Sequence, residues 1–330
     1  MEMNLTDARA LFSIYFDGDT PTMMWSPPGV GKSSLVKQFC IERKIGMIDF
    51  RASTRDAVAL MGIPNVEGDT TKWKVPDEFP QVERDGESGV LHLDEINVAS
   101  PSMQAACYGL VLDRRVGEYV LPKGWRVAGS GNRQSDRAAA QRMPSALANR
   151  FAHIDIVPHL ETSVNHFNDI GLDPMLTAFL RFRPGLLHNM ENPELRSFPT
   201  PRSWEQAAKY IALPSADRRG AIAGIVGEGA GAELEGFINV YKNLPSLDLV
   251  LANPNSAPVP SEPSARFAIS VGLGRKVNAK TFDAGMAYIS RLPREFEIMF
   301  AVDAVRRDPG LSHTKTFTDW AVRNQDVTLG

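Results

Sequence analysis

The eight residues Ser26-Pro27-Pro28-Gly29-Val30-Gly31-Lys32-Ser33 constrain the fold more than any other stretch of the chain. They follow a short apolar run, Thr22-Met23-Met24-Trp25, that reads as a strand. After them Leu35, Val36, Phe39 and Cys40 recur at helical spacing. A strand, a glycine turn and a helix in this order form a socket for an anion. Gly29 and Gly31 permit backbone that other residues resist and let N–H groups approach oxygens closely. The helix that starts at Lys32 adds its positive dipole end, and Lys32 adds a full charge. The Ser33 hydroxyl is a ligand suited to Mg²⁺. The pattern is G-x-x-x-x-G-K-[ST], except that Ser26 stands where the first glycine is expected. A plain turn with an exposed lysine is the simpler alternative; the flanking strand and helix argue against it.

A strand that feeds such a turn needs parallel neighbours. Gly46–Phe50, Gly89–Leu93, Trp125–Ser130 and Phe151–Val157 supply further short apolar runs, alternating with helical patterns. That alternation predicts a parallel sheet covered on both faces. Pro101 is expected to open a helix through Leu112, with Ser100 as its cap. From Pro158 to about Asn243 the pattern is mainly helical, with breaks near Asp169, Pro184 and Pro214. Pro254, Pro258, Pro260 and Pro263 mark Leu251–Pro263 as a loop or strap. A helical pattern returns over 279–306, and Thr316–Val322 forms one more short helix. The expected fold class is therefore α/β, a parallel-sheet core over 1–157 followed by a helical region over 158–330. A chain of 330 residues has the length for two such domains.

One strand carries the second chemical signal. Val90-Leu91-His92-Leu93 runs straight into Asp94-Glu95. A buried parallel strand delivers residues at its C-terminal end to the crevice where ligands bind in such sheets. Asp94 there suits a magnesium ion shared with Ser33. Glu95 suits a general base that polarises water. His92 alternates away from Leu91 and Leu93 and reads as a packed or surface residue.

Composition closes several other routes. A net charge of -3 and a pI near 6.1 give no overall footprint for nucleic acid. Cys40 and Cys107 lack the paired spacing of a zinc site and read as buried thiols. No basic segment with an apolar run opens the chain, and no run approaches the ~18 apolar residues of a membrane span. A cytoplasmic protein without a membrane span is expected.

In this order the motifs resemble the AAA+ superfamily and, within it, the MoxR-like ATPases. The resemblance covers roughly residues 20–210 and rests on five stretches. They are Ser26–Ser33, Leu93-Asp94-Glu95-Ile96-Asn97, Gly129-Ser130-Gly131-Asn132, Pro144–Phe151 and Thr200-Pro201-Arg202-Ser203-Trp204. It implies ATP held by Pro28, Gly29, Val30, Gly31, Lys32, Ser33 and Ser34, with Mg²⁺ on Ser33 and Asp94. It also implies a catalytic set of Glu95, Asn132, Arg150 and Arg202. Asn132 matches the sensor-1 position, Arg150 an arginine finger that acts on a neighbouring subunit, and Arg202 sensor 2 on a helical lid. Arg133, Arg137 and Arg142 are competing cations. Gly62–Pro76 looks like the helix-2 insert, and Arg114–Gly124 like the hairpin before sensor 1. Lys72, Trp73 and Lys74 then either meet a client or pack on their own domain.

The resemblance implies a homo-oligomeric ring, a hexamer, that couples ATP hydrolysis to remodelling or activating a client protein. It also implies a partner with a von Willebrand factor A domain. Two rivals remain open. One is an AAA+ motor directed by nucleic acid, which the acidic pI disfavours. The other is a nucleotide-gated scaffold that hydrolyses weakly, which an intact Glu95 disfavours.

Overall fold

A computed structural model describes residues 2–69, 72–133, 142–190, 192 and 195–325. The chain divides into two compact units, 1–162 and 163–330.

The first unit holds β1 (Glu2–Met3), α1 (Leu5–Asp17), β2 (Thr22–Trp25), α2 (Lys32–Arg43) and β3 (Gly46–Arg51). Then come α3 (Val58–Met61), β4 (Ile63–Asn65), β5 (Lys72–Lys74), α4 (Val82–Asp85), β6 (Ser88–Asp94) and α5 (Pro101–Leu112). It closes with β7 (Arg115–Val116), β8 (Tyr119–Val120), β9 (Gly124–Gly131), α6 (Ser145–Ala148) and β10 (Ala152–Ile156). Six strands form one sheet in the order β1-β10-β2-β9-β6-β3. Every neighbouring pair in it is parallel. The expected sheet with helices on both faces is what forms.

Alternation along the strands sorts the core into two layers. Leu91 and Leu93 of β6 pack with Met103, Cys107 and Leu110 of α5. Val90 faces the other way, with Phe12 of α1 and Leu35, Val36 and Phe39 of α2. His92 shares the even positions with Val90 and Asp94 and is fully buried. Its Nδ1 lies 2.8 Å from Asp49 Oδ1 on the adjacent strand, a bond that holds the Asp49 carboxyl below its ordinary range. Both cysteines are buried, and burial pushes their thiols up, Cys40 to about 11 and Cys107 to about 12.

Several elements follow the expected signals. Ser100 caps α5 by accepting from the Met103 N–H. The 62–76 segment contains the antiparallel hairpin β4–β5, though its turn residues Thr70 and Thr71 lie outside the described residues. β7 and β8 form the second hairpin. The helix α1 carries no earlier expectation; Asn4 caps it by accepting from the Thr6 and Asp7 N–H groups.

The second unit begins within α7 (Leu160–Asp169), and the regular structure of its described residues is helical. It continues with α8 (Pro174–Phe182), α9 (Pro201–Ala208), α10 (Ser215–Val226), α11 (Glu228–Lys242) and α12 (Leu247–Ala252). The last helices are α13 (Pro263–Lys276), α14 (Phe282–Ile289), α15 (Arg294–Arg307) and α16 (Lys315–Arg323). The proline-rich stretch between α12 and α13 is a loop, as expected. Residues 279–306 are helical as expected, in two helices, α14 and α15, separated by a break that ends at Pro293. α13 runs through the core, with Ala265, Ala268, Ile269, Ser270, Val271 and Leu273 among its buried residues. Burial on several faces erases the one-sided periodicity by which a helix is read.

Two internal ion pairs brace this unit. Arg181 meets Asp303 through Nη1–Oδ2 and Nη2–Oδ1 contacts of 2.5 and 3.0 Å. Arg218, 2% exposed, meets Glu235 at 2.6 and 2.8 Å. The Arg218 hydrogen bonds, opposed by desolvation, draw the Glu235 carboxyl from 4.5 down to about 2. A lowered folded-state value gives stability that is complete above the unfolded value and lost as pH falls through the folded one. Glu235→Gln is therefore expected to flatten the acid limb of the thermal-midpoint curve between pH 4.5 and about 2. Arg218→Ala, which strands the carboxylate, should cost about 3–5 kcal/mol in denaturant unfolding. An unchanged acid limb in Glu235→Gln would remove the pair from the account.

Candidate active site

Four neighbouring parallel strands, β2, β9, β6 and β3, end on the same edge of the sheet. Each hands over a candidate site segment there. β2 leads into the turn 26–31, and β9 ends at Gly131 beside Trp25 of β2. β6 ends at Asp94, opposite Arg51 of β3. The expected phosphate turn, carboxylates and Asn132 thus come together by strand order alone.

The turn has the backbone its glycines predict. Gly29 and Gly31 sit at φ +77° and +111°, where a Cβ is strained. Gly31, the cap residue of α2, makes no side-chain cap bond. The N–H groups of a helix's first turn favour an anion. Lys32 lies over the turn. Its Nζ donates to Ser26 O at 3.0 Å, to Ser26 Oγ at 2.9 Å and to Asn132 Oδ1 at 3.0 Å. Ser26 is fully buried, and its hydroxyl donates to Pro27 O at 2.8 Å. With its proton committed there, the hydroxyl presents lone pairs to the ammonium. The serine in place of glycine therefore gives Lys32 a second oxygen from the same residue. Val30 is buried, while Ser33 and Ser34 at the first turn of α2 are accessible.

The acidic end of β6 is bent sharply. Glu95 adopts φ +55°, the left-handed region that a non-glycine residue enters at a cost of about 1–3 kcal/mol. The turn carries its carboxylate to Ser53, whose hydroxyl donates to Glu95 Oε2 at 2.5 Å. Asp94 stays inward and accepts a short hydrogen bond from Ser130 Oγ and another from its own neighbour's N–H, Glu95 N, at 3.1 Å. Arg51 Nε stands 3.9 Å from the Asp94 carboxylate. The sequence motifs single out neither Ser53 nor Ser130 as a site residue. Ser130 lies within the Gly129–Asn132 stretch; nothing in the sequence marks Ser53.

The arginines separate into groups. Arg150, just after α6, donates from Nη2 to Tyr108 Oη at 3.1 Å and stacks over that ring at 5.6 Å. Arg133 is engaged with Glu2 at 2.5 Å and with the Ile156 carbonyl at 2.9 Å. Arg142 is exposed, and Arg137 lies outside the described residues. Arg202 belongs to the second unit, exposed in the first turn of α9. A capping box between Thr200 and Ser203 fixes that turn.

Residues 21–151 match the family model described as AAA domain (dynein-related subfamily). That span runs from β2 to just past Arg150, so it takes in the whole site of the first unit. The match is to this segment alone, and the parallel sheet with its glycine turn is consistent with it. No curated protein matches the sequence. Among solved structures, NtrX from Brucella abortus in complex with ATP aligns at 12% identity and TM-score 0.43, covering 98% of this chain and 68% of that one. A RuvB mutant from Thermotoga maritima aligns at 15% identity and TM-score 0.39, covering 88% of each chain. Hsp104 with ATPγS and FITC casein aligns at 16% identity and TM-score 0.38, covering 77% of this chain and 46% of that one. Likenesses this distant carry no functional meaning for the chain.

The Ser26 hydroxyl yields a direct test. A hydrogen bond to a charged group contributes about 1.5–3 kcal/mol. Ser26→Ala and Ser26→Gly are both expected to weaken binding of a non-hydrolysable ATP analogue about tenfold by calorimetry. If Ser26→Ala binds like the parent protein, the hydroxyl plays no part in holding Lys32.

Proposed function

We propose that the chain is an ATPase of the MoxR-like AAA+ type, working as a homo-oligomeric ring to remodel or activate a client protein. The observation that carries this reading is the joining of turn and acidic strand into one network. Lys32 reaches Asn132, and Ser130, two residues earlier, reaches Asp94.

The roles follow from this geometry. The N–H groups of Gly29–Ser34 and the Lys32 ammonium would bind the β- and γ-phosphates of ATP. The donor set suits Mg²⁺, because Ser33 offers a hydroxyl and Asp94 a carboxylate already oriented by Ser130. When bound there, the ion would neutralise phosphate charge. Glu95 takes the proton of the attacking water as oxygen bonds to the γ-phosphorus and the bond to the β-phosphate bridge breaks, releasing ADP and phosphate. Ser53 steers the Glu95 carboxylate before that step. The Asn132 amide orients the water or the γ-phosphate.

Arg150 would act on the neighbouring subunit's site, exchanging its contact with Tyr108 for a γ-phosphate. Such a cation supplied in trans contributes about 10³–10⁵ in turnover in related nucleotide hydrolases. Arg202 would take the sensor-2 role that the resemblance implies.

The client-facing surface is the hairpin pair of the first unit. Ile63, Val66, Trp73 and Val75 are exposed around β4–β5, beside Lys72 and Lys74. The Trp73 N–H donates to Glu118 Oε1 at 3.2 Å, which ties this hairpin to the turn of β7–β8. A partner with a von Willebrand factor A domain fits this role by family resemblance. No described helix is long and apolar enough to cross a membrane.

Lys32→Ala is expected to lose ATP binding in calorimetry. Glu95→Gln should still bind ATP but turn over about 10²–10⁴-fold more slowly, holding an assembled state in light scattering. Unchanged turnover in Glu95→Gln removes the general base. A protein that stays monomeric at saturating ATP removes the action of Arg150 in trans.

A further inference from the structure

The structure assigns to Asn97 the role of a positioning residue that holds Asn132 in register with Glu95. The assignment rests on the hydrolytic reading above and adds a residue to it.

Asn97 sits in the turn that follows Glu95 and is 1% exposed. Its side chain does not serve that turn, which is closed by the backbone bond from Val98 N to Glu95 O at 2.9 Å. The amide reaches instead across to the end of β9. Nδ2 donates to the Asn132 carbonyl at 2.7 Å. Oδ1 is buried and accepts no N–H or O–H bond. It lies against Gly131, where a Cβ would stand only 2.3 Å from it. A glycine at that position leaves room for the oxygen. The amide thus bonds Asn132 and packs against Gly131 of the neighbouring segment.

The consequence is geometric. The water that attacks ATP must be seen by Glu95 and by the Asn132 amide at once, and misplacing such groups by a fraction of an ångström is costly. Glu95 and Asn97 share one short turn. The Asn97 strut converts that proximity into a fixed spacing between base and sensor. The Ile96 N–H donates to Ser130 O at 3.1 Å and holds the backbone beneath it. A second route to Asn132 passes through Lys32, whose ammonium contacts its Oδ1. That contact must change when phosphate arrives; the Asn97 bond, made to the backbone, need not.

The test is a double-mutant cycle in steady-state ATP hydrolysis by the full chain. Asn97→Ala is expected to lower kcat about tenfold while KM for ATP stays within about twofold, since only transition-state alignment is lost. Asn97→Asp, which keeps the size but not the N–H donor, should fall with it. Asn132→Ala should lower kcat at least as far, and the double variant should match Asn132→Ala alone. Thermal midpoints and analogue binding check that each variant is folded; Asn97→Ser replaces any that is not. Effects that multiply in the double variant, or a parent-like kcat in Asn97→Asp, overturn the role of Asn97. A parent-like Asn132→Ala overturns the sensor reading itself, which is a distinct failure.

Discussion

The contact on which the site depends is the Lys32 ammonium held between Ser26 and Asn132. A lysine on a free tether is a mobile charge; three oxygens from two segments make it a fixed one. That single cation links the turn after β2 to the end of β9. The hydroxyl of Ser130 then links the end of β9 to Asp94 at the end of β6. A chain of short hydrogen bonds thus spans three adjacent strands, and Ser53 extends it to the segment after β3 through Glu95. Networks of this kind hold position because their bonds are at least partly shielded from water and few alternatives compete.

The sheet makes this network possible. Parallel strands all end on one side, and the order β2-β9-β6-β3 brings their exits next to one another. Residues far apart in sequence become neighbours without any long loop. The positive-φ turn at Glu95 and the missing side chain at Gly131 show where the backbone yields to the site. Those departures from easy geometry fall where chemistry is proposed, as stored strain commonly does.

Much of this was legible before any coordinates, for physical reasons. The glycine turn, the lysine and the acidic strand end are local signals, because backbone freedom and charge are properties of the residues themselves. Five strands of the main sheet were legible because each is a short, mostly apolar run; β1, two residues long, was not. Ser53 was not, since a serine after a strand is ordinary and only the fold brings it to Glu95. Asn97 stood within a quoted motif, yet its grip on Asn132 depends on the meeting of two strand ends. α13 was missed because a helix buried on several faces has no polar side to betray its period. Arg133 appeared as a rival cation, and its engagement with Glu2 and Ile156 becomes visible only when β1 joins the sheet.

The account stands or falls on where a nucleotide binds. A crystal structure of the full chain with magnesium and a non-hydrolysable ATP analogue measures this directly. The phosphates are predicted to lie on the N–H groups of 29–34, with the Lys32 ammonium against the β- and γ-oxygens. Asp94 and Glu95 should face the same γ-phosphate, with Asn132 turned from Lys32 towards it. A nucleotide bound elsewhere, or a phosphate at the turn with both carboxylates directed away, contradicts the account.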